Sequence, residues 1–164
     1  MSDQTITSLI EKLEGAEGPS LVLDGEIWCT VNGYTFVMWD GAGCVYRRAS
    51  DGGISHEQAS SIRPFSASLD AALALAARVL PRWGWDIGYP ARLGEHGGRP
   101  WADCWPPVED GEVAPFRLGG PRPTHRHVNA ATMALAVCSS LLRAQSEARA
   151  TGEDSPANEG EGAS

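Results

Sequence analysis

Lysine is almost missing from this 164-residue chain: Lys12 stands alone against twelve arginines. With the abundance of alanine and glycine, that bias points to a GC-rich coding sequence. No arginine therefore carries functional meaning from its type alone. Cysteine pairs at metal-ligand or redox spacing are also missing. The four cysteines stand at 29, 44, 104 and 138, so no CxxC element exists. Cys29 and Cys138 fall in apolar helical patterns and Cys104 in a strand pattern, as small buried thiols do. The N-terminus has neither the basic start nor the apolar run of a signal peptide. The longest apolar run is far too short to span a bilayer. The expectation is a cytoplasmic protein with no membrane partner.

Catalytic signatures are equally sparse. The chain has no HExxH or HxE…CxxC pattern, no GxSxG elbow, and no glycine-rich loop ending in Lys-Ser/Thr. Gly41-Ala42-Gly43, Gly97-Gly98 and Gly119-Gly120 do not join a strand directly to a helix, so they read as turn glycines. No cofactor and no catalytic residue is expected. Basic surface is also scarce. The net charge is −8, and the four acids Glu153, Asp154, Glu159 and Glu161 of the last fourteen residues account for half of it. The remaining body, at −8 + 4 = −4, argues against general nucleic-acid or anionic-membrane binding.

What is present describes one globular domain. The apolar share of 42% and charged share of 21% are ordinary for a folded chain, and the length suffices for a core without metal or disulfide support. Thr5 to Glu14 reads as an amphipathic helix, with Ile6, Leu9, Ile10 and Leu13 on one face. Ser20 is placed to cap a second helix, Leu21 to Cys29, with Asp24 and Glu26 on its more exposed side. Tyr34 to Trp39 (YTFVMW) reads as a strand apolar on both faces, the pattern of a sheet covered on both sides. Asp40 to Gly43 forms a hairpin connection to the partner strand Cys44 to Arg48. Ala49 to Ile62 is polar and rich in Gly and Ser, hence a surface loop.

Pro64 to Pro90 is the most clearly punctuated stretch. Ser68 is a good N-cap and Asp70 suits the first turn. Leu69, Leu73, Leu75, Ala76, Val79 and Leu80 leave almost no polar face, which reads as a buried central helix ended by Pro81. Trp83, Trp85, Ile87 and Tyr89 then alternate with Gly84, Asp86 and Gly88 as a strand. Arg99 to Trp105 returns antiparallel, with Trp101, Asp103 and Trp105 on one face. A short strand fits at Val113 to Leu118. Asn129 is a plausible cap for a last helix, Ala130 to Ala148, with Ala134, Cys138 and Leu141 inward. Residues 150–164 form an acidic tail expected to be disordered. The order α-α-β-β-α-β-β-α describes an α+β fold, a single layered domain (1–149) whose mainly antiparallel sheet has helices packed on its faces.

Three segments carry a resemblance: LIEKLEGAEGPSLVLDGEIW (9–28), PFSASLDAALALAARVLPRWGW (64–85) and NAATMALAVCSSLLRA (129–144). In order and spacing they resemble the phage α-β-α sandwich domain of bacteriophage and prophage proteins. The resemblance implies a sheet with helices on both faces and a bacterial host cytoplasm. It implies no enzyme activity, ligand or catalytic set. Ala49 to Ile62 and Pro90 to His127 are longer than the family pattern, which makes them the places for a private function.

Four kinds of chemistry remain. Trp83, Trp85, Trp101 and Trp105 lie on neighbouring strands, where they either fill the core or form a stacking surface. Trp83 and Trp105, at strand ends, are the expected exposed pair. Arg99, Arg122, His125 and Arg126 are the candidate anion-binding residues, the last three near the start of the final helix. His125 and His127, with His56, His96, Glu95 or Asp103, are the residues a metal would need, although no spacing unites them. Glu109, Asp110 and Glu112 form a solvated acidic loop open to a basic partner. Three functions follow: a non-enzymatic phage or prophage accessory protein that binds a host or phage macromolecule, one such role being inhibition of a host defence; a small-molecule or nucleotide binder using the Trp/Arg surface; and a metal-dependent hydrolase.

Overall fold

Apolar residues at helical spacing build the first layer. In the computed structural model, which describes residues 3–89, 98–106 and 128–150, α1 (Asp3–Gly15) buries Ile6, Leu9, Ile10 and Leu13 along one face. That face packs mainly against the last helix, α4 (Met133–Ala150). The two are also tied by polar contacts. Arg143 donates through Nη2 and Nε to Glu14 Oε1 at 2.6 and 2.9 Å, and Ser139 Oγ donates to the same oxygen at 2.9 Å.

The second helix, α2 (Leu21–Val31), departs from expectation at its polar positions. Ser20 has extended backbone but makes no side-chain cap; its N–H instead donates to Ser66 Oγ at 3.0 Å. Asp24 and Glu26 are buried, at 2% and 9% exposure, not on the outer side. Each is buried because it has a partner. Asp24 accepts the Ser66 N–H at 2.6 Å, and Glu26 accepts twice from Lys12 Nζ, at 2.7 and 2.9 Å. Asn32 closes the helix by donating to the Trp28 carbonyl at 2.7 Å, and Gly33 turns the chain with φ at +75°.

α2 lies against the first of two antiparallel sheets. β1 (Thr35–Trp39), β2 (Gly43–Arg47) and β3 (Ile54–Gln58) pair in that order. Phe36, Tyr46 and Ser55 share one register row, and Trp39, Cys44 and Glu57 another, on the face toward α2. Gly25 allows the close approach: a Cβ there would meet Phe36 Cε2 at 3.1 Å and Trp39 Cε3 at 3.2 Å. Trp28, Tyr34 and Tyr46 close the layer, with Tyr34 stacked on Tyr46 at 4.6 Å between ring centres.

β3 occupies what the sequence reads as loop, followed by a 3₁₀ turn at Ala59–Ser61. Its residues Ile54-Ser55-His56-Glu57-Gln58 offer one apolar side chain, so no side-chain pattern marks it. Backbone pairing with β2 holds it as an edge strand.

Ser68 caps α3 (Leu69–Val79), accepting the Ala71 N–H at 3.2 Å. Ala71, Ala72, Leu75 and Ala76 are buried, while Asp70, Ala74, Ala77 and Arg78 face out. α3 packs on α4, but it is not the centre of the domain. That position belongs to α4, which contacts α1, α3 and all three strands of the second sheet. Residues 134–142 are buried all round, including Ser139 and Ser140 at 0% exposure. Small side chains (Ala134, Ala136, Cys138, Ser139, Ser140) let neighbours approach on every side. The cap of α4 is Thr132, whose Oγ1 accepts the Leu135 N–H at 3.2 Å. Asn129 sits instead in a two-residue strand.

The second sheet comprises β4 (Gly84–Gly88), β5 (Trp101–Trp105) and β6 (Val128–Asn129), all antiparallel. The expected α+β class, antiparallel pairing and element order therefore stand, with β3 and β6 added and the strands divided between two sheets. The four cysteines are free and buried, as expected. Among the described residues no helix is long and apolar enough to cross a membrane.

Candidate functional site

The tryptophans divide between the two faces of the second sheet. Trp85 pairs with Cys104, and Ile87 with Ala102. That face turns to α4, where Ser140 Oγ donates to Cys104 Sγ at 3.2 Å. Trp83 and Trp85 both pack on the core cluster. Trp101 and Trp105 stand on the opposite face with Asp103, across from Gly88, Gly84 and Asp86. The half-buried pair away from α4 is thus 101/105, not 83/105. Trp105 lies directly on Gly84, whose Cβ position is 2.1 Å from the indole Nε1.

Asp86 and Asp103 are register partners, so two carboxylates occupy the space between the rings. Arg99 is not in that space: its Nη1 reaches the Glu14 carbonyl at the end of α1, at 3.5 Å. The other anion candidates, Arg122, His125 and Arg126, lie outside the described residues, as do Glu95, His96, Glu109, Asp110, Glu112, His127, the strand expected at 113–118 and the tail from 151. Among the described residues no group of three or more His, Cys, Asp or Glu side chains is placed to hold a metal. His56 lies on β3 beside Asp40, 3.3 Å from Oδ2. Asp40 also accepts the N–H groups of Ala42 and Gly43, both at 2.9 Å; these bonds, with the His56 contact a lesser cause, hold its carboxyl below the usual range.

A different surface stands out on the first sheet. α2 covers one face of β1–β3, and the strands carry three of the six exposed large apolar residues among the described ones, Val37, Met38 and Ile54. Met38, Val45 and His56 form one register row across the three strands, and Thr35, Arg47 and Ile54 the next. Val37, at a bulge in β1, adds to them. Val37 is 45% exposed, Met38 51% and Ile54 55%. Exposed aliphatic side chains grouped on one sheet face are unusual on a monomeric surface and mark contact sites.

The local charge differs from that of the chain as a whole. Arg47 makes no ion pair among the described residues and His56 is exposed. Asp51 is engaged with Arg48 at 2.8 Å and Glu57 lies on the α2 side, while Asp40 holds both its turn and His56, so Arg47 is the cation this face presents. Three strands 4.8 Å apart and five residues long span roughly 10 by 17 Å, the footprint of one α-helix of about three turns.

Only part of this surface was legible in advance. YTFVMW, apolar on both faces, does say that something covers both sides of β1. The missing signal was β3, whose polar sequence hides the strand that brings Ile54 and His56 beside Met38 and Arg47. Comparisons of the chain with protein-family models, with curated proteins and with solved structures find no match.

Proposed function

We propose that this protein is a non-enzymatic binding module whose uncovered sheet face, Val37, Met38, Val45, Arg47, Ile54 and His56, receives an amphipathic helix of a partner protein. The observation that carries this reading is the mismatch between the β1 pattern and its surroundings. A strand apolar on both faces belongs in a sheet with two covers, and α2 supplies one. The partner helix supplies the other, completing a helix–sheet–helix layer. Arg47 sets its chemistry: aliphatic residues at i, i+3, i+4 and i+7, with a carboxylate placed to meet the guanidinium. The bulge at Val37 disfavours extension of the sheet along the β1 edge, so the partner lies across the face.

Such a role suits an accessory protein of phage or prophage origin acting on a host protein. The three segments noted in the sequence support that origin, and the absence of catalytic motifs supports binding over catalysis. The nucleotide reading is weaker because Arg99, its one cationic candidate among the described residues, reaches the Glu14 carbonyl and not the Trp101–Trp105 face.

The test is capture from bacterial lysate with the immobilised protein, run beside M38D/I54D and R47E. A partner retained by the natural protein, lost from M38D/I54D and weakened in R47E, and protected from hydrogen exchange over an acidic amphipathic helix, supports the reading. Capture unchanged by these substitutions overturns it. So does concentration-dependent self-association abolished by M38D/I54D, which would make a second copy the occupant.

A further inference from the structure

The four cysteines are far apart in sequence, and the fold brings two of them together. Cys29 lies in the last turn of α2 and Cys44 on β2. Their Sγ atoms are 3.3 Å apart, one thiol bonded to the other. Cys104 and Cys138 give their S–H groups to backbone carbonyls, of Ser140 and Phe65, both at 3.6 Å. A thiol buried against a carbonyl acts as a small apolar filler. Two thiols in contact have a chemistry that neither has alone.

The surroundings hold the pair in place. β2 is the central strand of its sheet, and Cys44 is paired with Trp39 on one side and Glu57 on the other. The Cys29 carbonyl accepts the Tyr34 N–H at 2.8 Å, which fixes the end of α2. Gly25, one turn before Cys29, brings the helix close: its carbonyl oxygen stands 3.9 Å from Cys44 Sγ. A disulfide is about 2.05 Å long, so the sulfurs must approach by about 1.3 Å, less than one C–C bond length.

The environment selects the oxidant. Both cysteines have 0% exposure, and burial is the main cause that raises both thiol pKa values. The contact between the sulfurs adds to the rise at Cys29 and opposes it at Cys44. Cys44 is therefore the sulfur that ionises first and attacks. Glu26 near Cys29, and Glu57 and Asp40 near Cys44, add negative potential. An anionic aromatic disulfide is too large and carries the wrong charge; a small neutral peroxide suits on both counts.

We propose that Cys29 and Cys44 are a reversible disulfide site, closed by a small neutral peroxide, that fastens α2 to the central strand of the first sheet. The Cys44 sulfur attacks one peroxide oxygen and the O–O bond breaks. The departing hydroxide takes the Cys44 proton and leaves as water, and Cys44 becomes a sulfenic acid. The Cys29 sulfur then displaces the sulfenic hydroxyl, which leaves with the Cys29 proton as a second water. Two thiols and one peroxide thus give one disulfide and two waters. A thiol reductant reopens it by exchange. The site is separate from the uncovered sheet face and does not rest on it.

The experiment treats the whole reduced protein with excess hydrogen peroxide, counts thiols with DTNB after denaturation, and maps linked peptides by mass spectrometry. The count should fall from four to two, with residues 29 and 44 in one cross-linked peptide. The bond closes a loop across a separation of 15 residues, which should raise Tm by roughly 6–12 °C, a gain lost again with dithiothreitol. C104S/C138S should cross-link as the natural protein does. In C29S, which lacks the resolving thiol, dimedone should label Cys44; in C44S, it should label Cys29 far less. Four thiols retained after peroxide, or a cross-link to Cys104, to Cys138 or between two molecules, overturns the proposal. An oxidised protein with the Tm of the reduced one overturns the fastening of α2.

Discussion

Replacing Gly84 by alanine tests the division of the tryptophans. The added methyl would lie 2.1, 2.2 and 2.6 Å from Nε1, Cε2 and Cζ2 of Trp105. Carbon atoms in contact rest at about 3.5–4.0 Å, so the indole must retreat by well over an ångström. A rigid bicyclic ring cannot give by bending one atom; it must leave its rotamer or lift from the strand. An off-rotamer torsion costs roughly 0.5–1.5 kcal/mol. Re-exposing about 100 Å² of a half-buried indole costs about 2.5 kcal/mol at 25 cal/mol per Å². Alanine recovers roughly 0.5–1 kcal/mol over glycine in a strand. The net loss is about 2–3.5 kcal/mol, or a fall in Tm of roughly 4–14 °C for a chain of this length. Urea and thermal unfolding followed by circular dichroism measure it. Gly88→Ala is the control: its Cβ would stand 3.1 Å from Trp101 Cζ2, an approach that small shifts relieve, so it should lie near the natural protein. In a W105A background the Gly84 methyl has nothing to strike, and its cost should vanish. Gly84→Ala as stable as the natural protein would show that Trp105 does not lie across β4.

Three further outcomes follow from buried polar groups. Burial raises the thiol pKa of Cys29, Cys44 and Cys138, and all four cysteines are enclosed, so a thiol reagent such as DTNB should leave the folded protein unlabelled and titrate four groups after denaturation. Desolvation raises Asp24 above its ordinary value despite the bonds from Ser66. The folded state therefore holds this proton more tightly than the unfolded chain, and stability is lost as pH rises through the folded value. D24N keeps an acceptor for Ser66 and removes the charge; relative to the natural protein it should gain at pH 7 and lose that gain below the ordinary aspartate pKa, in urea unfolding at the two pH values. Lys12 and Glu26 should respond unequally, because their side chains are 52% and 12% exposed. K12M strands a mostly buried carboxylate and should cost about 1 kcal/mol more than E26Q, which leaves an ammonium free to enter water.

The helices were legible because their signals are local. Apolar spacing at Ile6, Leu9, Ile10 and Leu13, the Ser68 cap and the Pro81 stop each act within a few residues. What escaped depends on partners distant in sequence. Asp24 and Glu26 look like surface acids until Ser66 and Lys12 are placed beside them. β3 exists because β2 lies alongside, and β6 is too short to show a period. The identity of the central helix also escaped. α3 is rich in apolar residues but exposes alanine, whereas α4, with serines in its sequence, is enclosed on all sides. Small size, not hydrophobicity, decided which helix neighbours could surround. On the candidate surface, Val37 and Met38 were visible as apolar residues; only the fold shows that no element of the described chain covers them.

The uncovered face of β1–β3 can be tested by placing a photo-cross-linking amino acid at position 38 and, as a control, at exposed position 74 on α3. After irradiation in bacterial cells, position 38 should yield a discrete adduct with one partner protein, and that adduct should disappear when Ile54→Asp and Arg47→Glu are added. Since both are exposed surface positions, the fold should change by no more than about 0.5 kcal/mol. An adduct from position 74 but none from position 38, or one at 38 that survives both substitutions, would contradict the account.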